Sequence, residues 1–231
     1  MITVETIQER HSVREYDGGP LGQAEFDALG AVVEECARES GLDIQLVGDN
    51  PEVFNVIARF GLIRGCRTHV AFVVDDGKAR GVAADEAIGY WGQKIVLAAQ
   101  DMELNTCWCA LCSRKKSCAV VAPGKKIRLV IAVGHGKTQG FSRKTKSVEA
   151  LSSVECAKAP AWFAAAMQAA QLAPTAMNNQ NFKITLLSDG KTVRIDAPQS
   201  GLNVIDEGIV RCNFEIAANE AGADWHWERD I

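Results

Sequence analysis

The sequence predicts an α+β fold. Segments with the apolar spacing of amphipathic helices are mixed with short apolar runs that are typical of strands. Asp189-Gly190, between two such runs, predicts a tight hairpin, which argues against a wholly parallel sheet. With 231 residues, of which 47% are hydrophobic and 23% charged, the chain is long enough to bury a core without disulfides or metal.

Apolar spacing along the first part of the chain predicts four helices and three strands. Leu29 and Val33 share one face of the second helix, which Gly41 ends, and Trp91 and Ile95 share one face of a longer helix. The predicted helices are residues 2–9, 22–39, 51–58 and 79–102, and the predicted strands are residues 44–47, 68–74 and 127–133.

The second part of the chain is predicted to contain two helices and three strands. Pro174 ends the first of these helices, because proline lacks the backbone N–H that a continuing helix needs. The Ser188–Lys191 turn joins two of the strands. The predicted helices are residues 159–172 and 202–220, and the predicted strands are residues 184–187, 192–195 and 224–227.

A weak internal repeat relates the two parts. Shifting the chain by 119 positions places Gly89 on Gly208 and Trp108 on Trp227, and it keeps the apolar stripes of two helices in phase. One interpretation is chance similarity between two amphipathic helices. The other is a pair of related half-domains, residues 1–150 and 151–231, packed as an internal pseudo-dimer.

Charge and segment composition exclude several classes of protein. A net charge of −4 and a pI near 5.6 argue against a general nucleic-acid binder, which needs a basic face. No apolar run approaches the roughly 20 residues that span a bilayer, so no membrane partner is expected. The acidic, amphipathic start is not a signal peptide, so we expect a cytoplasmic protein whose eight cysteines are reduced.

A short segment near the start could bind an anion. Arg10, Ser12 and Arg14 alternate, so in an extended segment their side chains point the same way. Two guanidinium groups and a hydroxyl suit a phosphate or an electron-rich ring edge. The alternative is an ordinary solvated surface.

A basic segment follows the strand predicted at 127–133. Arg143, Lys144 and Lys146 alternate with small hydroxyl residues, a pattern that suits a phosphate but also fits a solvated charged surface. The preceding Gly134-His135-Gly136 is not a dinucleotide fingerprint, because it lacks the third glycine and no helix starts there.

A polar segment over residues 173–182 connects a helix to a strand. Pro174 ends the helix, and Thr175, Asn178 and Gln180 then supply a hydroxyl and two amides. This is more hydrogen-bonding capacity than a simple turn requires, although a polar connection is the other interpretation.

Together the three segments resemble the FMN-dependent nitroreductase family. That family opens with Arg-x-Ser-x-Arg/Lys, has an Asn-x-Gln-Pro-Trp loop after its main helix, and carries a basic segment after a strand. Residues 92–108 also resemble its long helix and the Gly-Leu-Gly-Thr-x-Trp segment that follows. The resemblance implies a nitroreductase-like α/β sandwich. The departures are Thr175 for serine, Asn181-Phe182 for Pro-Trp, and Asn105 for glycine.

The order of the motifs resembles a fused branch of the family. The first half has the Arg-x-Ser-x-Arg motif without the loop, and the second half has the loop without that motif. The resemblance therefore implies two half-domains in one chain, which together form one FMN-binding unit. The chain is then a monomeric pseudo-dimer or a weak homodimer.

The resemblance also implies roles for individual residues. The resemblance implies that the FMN phosphate is bound by Arg10, Arg143, Lys144 and Lys146. It also implies that Ser12 and Arg14 contact the phosphate or the pyrimidine edge of the flavin. Pro174, Thr175 and Asn178 contact the flavin and Gln180 supports the loop, while backbone donors of Thr106, Cys107 and Trp108 face the ring. The implied reaction is a ping-pong transfer of two electrons from NAD(P)H to a nitro compound, quinone or similar acceptor, with no catalytic side chain required.

Two alternatives remain open from the residues. The chain could bind FMN as a sensor or storage protein without a nicotinamide pocket. Alternatively, Cys107, Cys109, Cys112 and Cys118 could hold zinc or an iron–sulfur cluster, because Cys-x2-Cys is metal-ligand spacing. The absence of a second such pair favours structural or redox-sensitive thiols.

Overall fold

The computed structural model describes residues 2–54, 63–77, 82–155 and 158–229. The helices are α1 (Val4–Glu9), α2 (Gln23–Ser40), α3 (Val82–Asp101), α4 (Val148–Leu151), α5 (Ala161–Gln171) and α6 (Asn203–Glu220). The strands are β1 (Asp43–Val47), β2 (Thr68–Asp75), β3 (Asn105–Cys109), β4 (Lys125–Gly134), β5 (Lys183–Leu186), β6 (Thr192–Asp196) and β7 (His226–Trp227). In these ranges no helix combines the length and low polarity needed to cross a membrane.

The mixture of helices and strands confirms the predicted fold class. The helical prediction at 51–58 is confirmed over Pro51–Phe54, which forms a short 3-10 helix. Residues 55–58, and residues 79–81 of the long predicted helix, lie outside the described part of the chain. The other predicted elements occur within a few residues of their expected bounds.

The chain forms two compact units that alternate along the sequence. The helical unit contains residues 1–9, 81–94 and 143–231, and the sheet unit contains residues 10–80 and 95–142. The two units are defined by contacts in space, and such contacts do not show whether two parts of a chain are evolutionarily related. The two half-domains, residues 1–150 and 151–231, therefore stay a prediction.

The sheet unit is built around four antiparallel strands in the order β1-β2-β4-β3. The central pair is aligned through Ala71 and Val130, and seven of the eight residues of β2 are buried. A core of apolar and thiol side chains lies against the sheet; it includes Val13, Tyr16, Phe54, Val73, Cys107, Cys109 and Ala132. The β3 strand is therefore an edge strand whose inner face is part of the core.

The helical unit combines a three-stranded sheet with buried helices. The β5 and β6 strands pair antiparallel across the turn that contains Gly190, which confirms the predicted hairpin, and β7 pairs parallel to β6. The α6 helix is buried along most of its length and packs on α5. Trp162, Phe214 and Trp225 are among the aromatic rings that stack in this unit.

Two glycines allow α3 and α6 to cross closely within the helical unit. A Cβ atom at Gly89 would lie 2.0 Å from the carbonyl oxygen of Ile205, and one at Gly208 would lie 2.0 Å from that of Glu86. The contact is reciprocal, since Gly208 lies 119 positions after Gly89 and Ile205 lies 119 positions after Glu86. Any larger residue at either glycine would force the helices apart.

Candidate functional site

The structure brings the opening segment and the β3 strand together in the sheet unit. The backbone N–H of Val13 donates to the carbonyl of Thr106 at 3.0 Å, and Ser12 forms a parallel bridge with Thr106. Arg10, Ser12 and Arg14 therefore lie in a segment that runs along the open edge of β3, although they are about 90 residues away in the chain.

Backbone alternation in β3 separates two sets of groups. Because the Thr106 carbonyl points to the open edge, the backbone groups of Trp108, two residues on, point to the same edge. The Cys107 side chain is 4% exposed and belongs to the core on the inner face. The backbone N–H and C=O of Cys107 point the opposite way, towards Ala132 of β4, so a ligand at this edge would reach neither the thiol nor the backbone N–H of Cys107.

Arg10 is a buried cation rather than a solvated surface residue. It is 7% exposed, and burial lowers its pKa to about 10, an effect partly opposed by the neighbouring Cys107. The guanidinium is still protonated at neutral pH. Burial and the adjacent Arg10 charge also lower the pKa of His11, which keeps that ring neutral. The sheet unit thus holds one strong positive charge in a low-dielectric setting, where an anion would be attracted more strongly than in water.

The polar loop of the helical unit is fixed at its start by a carboxylate. The backbone N–H of Ala176 donates to both oxygens of Asp206 at 3.0 Å, and Asn178 N donates to the Thr175 carbonyl at 2.9 Å. The Thr175 hydroxyl accepts from the N–H of Gln180 at 3.0 Å. These bonds close residues 175–180 into a compact turn.

The same loop is tied to the basic segment. Gln180 Oε1 accepts from the Lys146 N–H at 2.6 Å, and the Lys146 ammonium donates to the Gln180 carbonyl at 2.9 Å. Asn178 Nδ2 donates to the Lys144 carbonyl at 2.8 Å. Two motifs that are over 30 residues apart in the sequence therefore form one structure within the helical unit.

The loop backbone adopts an unusual conformation. Met177, Asn178 and Gln180 have φ values of 54°, 56° and 46°, in the left-handed region that non-glycine residues rarely occupy. Such conformations persist only where surrounding contacts stabilise them, and they are enriched at ligand-binding sites. Met177 is 83% exposed, so the loop presents an apolar side chain to solvent.

Asp206 is a site residue that the sequence pattern did not reveal. It is 8% exposed in the first turn of α6, and burial raises its pKa to about 7, although the Ala176 N–H favours the charged form. Gln171 was also missed; its side chain donates to the Lys146 carbonyl at 2.6 Å, and its carbonyl accepts from Gln180. No local motif marks either residue, because their partners lie elsewhere in the chain.

The candidate residues fall into two groups, each assembled within its own unit. The sheet unit contains Arg10, Ser12, Arg14, Thr106, Cys107 and Trp108. The helical unit contains Arg143, Lys144, Lys146, Pro174, Thr175, Asn178 and Gln180.

Asn105 stands where the family pattern has a glycine. Asn105 is an extended strand residue whose Oδ1 accepts from the Gly136 N–H at 2.8 Å, so glycine-like backbone freedom is not needed there.

The cysteines were considered as metal ligands. In the described part of the chain no three metal-ligating side chains form a group, and Cys118 is exposed while Cys107 and Cys109 are buried. The geometry thus disfavours a four-thiolate metal centre.

Comparison with known families identifies a relationship that covers nearly the whole chain. The family described as "Putative TM nitroreductase" matches residues 2–218. No curated protein matches the sequence.

Solved structures share the fold. A structure described as a putative nitroreductase from Thermotoga maritima is 19% identical, with a TM-score of 0.66 over 100% of this chain and 90% of its own. One from Desulfovibrio desulfuricans, in complex with FMN, is 18% identical with a TM-score of 0.50 over 64% of this chain and 94% of its own. A Parabacteroides distasonis structure, described as a putative NADH dehydrogenase/NAD(P)H nitroreductase, is 21% identical with a TM-score of 0.50 over 66% and 95%.

Proposed function

The chain belongs to the TM nitroreductase family and is an oxidoreductase, and on that premise we propose that it uses FMN to pass two electrons from NAD(P)H to a small acceptor. The acceptor class is a nitro compound, a quinone or a similar molecule, and the sequence of transfers is ping-pong. FMN, when bound, supplies the two-electron chemistry, so no side-chain nucleophile is required.

The contact that carries the proposal is the junction of Lys146 with Gln180. The family resemblance assigns the basic segment to the phosphate and the polar loop to the flavin, and this junction joins the two. The donor chemistry of the described residues fits FMN: cationic side chains suit its phosphate, and amides and a hydroxyl suit the polar edge of its ring.

In this proposal, residues of the sheet unit bind the FMN phosphate and orient the flavin ring. Arg10 attracts the phosphate, and its buried charge makes that attraction strong. Ser12 and Arg14 contact the phosphate or the pyrimidine edge. The backbone N–H of Trp108 points to the open edge of β3, where it can orient an acceptor atom of the flavin ring.

Residues of the helical unit shape the other contacts. Arg143, Lys144 and Lys146 supply positive charge for the phosphate, and all three are exposed enough to reach a ligand. Pro174, Thr175 and Asn178 contact the flavin, while Gln180, which is 2% exposed, holds the loop in place. Asp206 positions this loop through Ala176 and needs no contact with FMN.

We also propose that the chain is an internal pseudo-dimer. The reciprocal crossing at Gly89 and Gly208 supports this, because a two-fold axis between related halves generates paired contacts of this kind. The Thermotoga maritima structure matches all of this chain, whereas the other two compared structures match about two thirds of it. Light scattering on the purified protein would test whether it is a monomer or a weak homodimer.

The first experiment is the absorption spectrum of the purified protein, followed by mass analysis of what heat releases. Flavin bands with FMN in the supernatant are expected, together with steady-state oxidation of NAD(P)H when a nitroaromatic or quinone is added. Bound FMN without that oxidation would instead indicate a sensor or storage protein. A colourless protein that takes up no added FMN would refute the proposal.

Variants then test the phosphate assignment. Arg10→Ala should abolish FMN retention, whereas Arg38→Ala, at an exposed arginine paired with Glu39, should leave it unchanged. Because Arg10 is buried, circular dichroism must show that the variant folds. Lys144→Ala changes an exposed residue and should weaken FMN binding without affecting folding; normal flavin content in both Arg10→Ala and Lys144→Ala would overturn the assignment.

A further inference from the structure

Two cysteines meet where β3 ends in the sheet unit. Cys109 is the last residue of β3 and is 8% exposed, the backbone bends over residues 110–112, and Cys112 is half-buried. The Cys112 thiol donates to the Cys109 carbonyl at 3.8 Å, and the Cys109 thiol donates to the Leu111 carbonyl at 3.4 Å. The two thiols are close enough for each to shift the pKa of the other, and disulfide formation requires both side chains to rotate from their carbonyl partners towards each other.

The charges around the pair distinguish the two thiols. Arg114 lies over the bend, where its Nη2 donates to the Ala110 carbonyl at 2.6 Å and its guanidinium contacts the Cys112 thiol. The hydrogen bond from Cys109 and the positive charge of Arg114 lower the pKa of Cys112. The hydrogen bond to Cys112 and burial raise the pKa of Cys109 far above its usual value. Cys112 is thus the nucleophile and Cys109 the protonated partner.

The neighbouring cysteines lack this arrangement. The Cys66 thiol is buried, donates to the carbonyls of Thr68 and Val133, and has a pKa raised to about 12. Cys107 is buried in the core, and Cys118 is exposed. Cys109 and Cys112 therefore combine proximity to each other with an activating charge from Arg114.

We propose that Cys109 and Cys112 form a dithiol site that exchanges reversibly with low-molecular-weight disulfides. The Cys112 thiolate attacks one sulfur of the disulfide, forming a mixed disulfide and releasing one thiolate. Cys109 then loses its proton to that thiolate and attacks the Cys112 sulfur, which forms the Cys109–Cys112 disulfide and releases a second thiolate that takes its proton from water. Two electrons pass from the protein to the small disulfide, which becomes two thiols, and a small thiol reverses both steps.

The test uses the full chain, reduced and then exposed to oxidised glutathione. The reaction is stopped with acid, free thiols are alkylated with N-ethylmaleimide, and trypsin releases residues 95–114, which contain Cys107, Cys109 and Cys112. Tandem mass spectrometry should locate a disulfide between Cys109 and Cys112 with Cys107 alkylated. Two alkylatable thiols are lost per chain, and dithiothreitol restores both.

Single substitutions separate the roles of the two thiols. Cys109→Ser should stop at a glutathione adduct on Cys112, and Cys112→Ser should give neither adduct nor disulfide in this peptide. Cys118→Ser is the matched control, and in this variant Cys109 and Cys112 should form the disulfide as in the natural chain. Arg114→Gln should slow oxidation, whereas Lys115→Gln, on the same turn, should not.

The wild-type digest decides the proposal even if a variant does not fold. If both thiols of the pair stay alkylatable while Cys118 carries glutathione, the exchange site does not exist. If Cys107 replaces Cys109 in the disulfide, the assignment of the partner is wrong. Neither outcome depends on FMN, so this test is independent of the proposed flavin chemistry.

Discussion

The two units hold their candidate site residues by different means. In the sheet unit the opening segment is attached to β3 through backbone pairing at Ser12, Val13 and Thr106. In the helical unit the side chains of Gln180 and Asn178 join the loop to the basic segment, and that of Asp206 joins the loop to α6. Backbone pairing survives most substitutions, whereas side-chain hydrogen bonds do not, so single substitutions should affect the helical unit more.

The two units also differ in the polarity of their buried side chains. The sheet unit buries mainly apolar and thiol side chains. The helical unit buries the ion pair of Glu86 and Arg211, with both side chains at most 1% exposed, and Arg229 donates to Glu86 and Glu207. Burial raises the pKa of Glu207. The helical unit therefore depends on buried charges that stabilise only while every partner is present.

The largest expected effect comes from breaking that charge network. Arg211→Met leaves the buried Glu86 carboxylate with Arg229 as its ion-pair partner among the described residues, so the free energy of unfolding should fall by about 3 to 5 kcal/mol. Urea denaturation measures this. Arg38→Met, at the exposed pair with Glu39, should cost less than about 1 kcal/mol. Equal losses in the two variants would mean that the buried network contributes nothing special.

The next effect concerns the helix crossing of the helical unit. Gly89→Ala places a methyl group against the Ile205 carbonyl and should cost about 3 kcal/mol of unfolding free energy. Gly30→Ala in α2 of the sheet unit is the matched control, because its Cβ would lie 3.9 Å from Leu46. Because alanine has a higher helix propensity than glycine, Gly30→Ala should leave the free energy of unfolding unchanged or raise it by up to about 1 kcal/mol. A neutral Gly89→Ala would contradict the close crossing.

A third pair of variants compares the two means of attachment directly. Gln180→Ala removes the acceptor for the Lys146 N–H and should cost about 2 kcal/mol, with faster amide exchange at Lys146. Ser12→Ala should cost less than about 0.5 kcal/mol, because Val13 bonds to the Thr106 backbone. Amide exchange at Val13 should then be unchanged. Faster exchange at Val13 in Ser12→Ala would show that backbone pairing does not protect the sheet unit.

The last expected effect is a pH dependence from Asp206, which is spread over several pH units and is therefore small at any one pH step. Its pKa rises from 3.8 unfolded to about 7 folded, so the folded chain binds the extra proton between these values. Stability from this group is therefore complete below about pH 4 and falls as pH rises to 7, by at most about 1.4 kcal/mol per pH unit.

Asp206→Asn isolates this contribution. The asparagine Oδ1 can still accept from the Ala176 N–H, and the variant cannot titrate. Melting temperatures across this pH range should fall less steeply in the variant than in the natural chain. Parallel curves would mean that Asp206 is charged throughout and that its burial does not disfavour the carboxylate.

Most elements of the fold could be predicted because their signals are local. The apolar face of α2 and the turn chemistry around Gly190 involve residues within a few positions of each other, and both were predicted correctly. The helical prediction at 51–58 did not specify the helix type, and Pro51–Phe54 forms a 3-10 helix, which is common in such short connecting pieces. Helix ends shifted by one or two residues, where the hydrogen-bonding pattern is weakest.

The candidate site was predicted only as separate segments. Sequence patterns identified Arg10, Lys146 and Gln180 by residue type and family resemblance. They gave no sign of the Asp206 carboxylate that holds Ala176, since the two are 30 residues apart. They also left the surroundings of Arg10 undecided, although its burial is what would strengthen the attraction between its charge and an anion.

The sequence alone determined the fold class, most of the helices and strands, and the segments that carry the candidate residues, because periodicity, turn residues and motifs act over short distances in the chain. Tertiary structure alone decided which of these segments meet: the opening segment with β3, the basic segment with Gln180, and Cys112 with Arg114 over the bend that follows Cys109. Burial and hydrogen bonding at those meetings set the charge states. These quantities depend on what surrounds a residue in space, which no local pattern records.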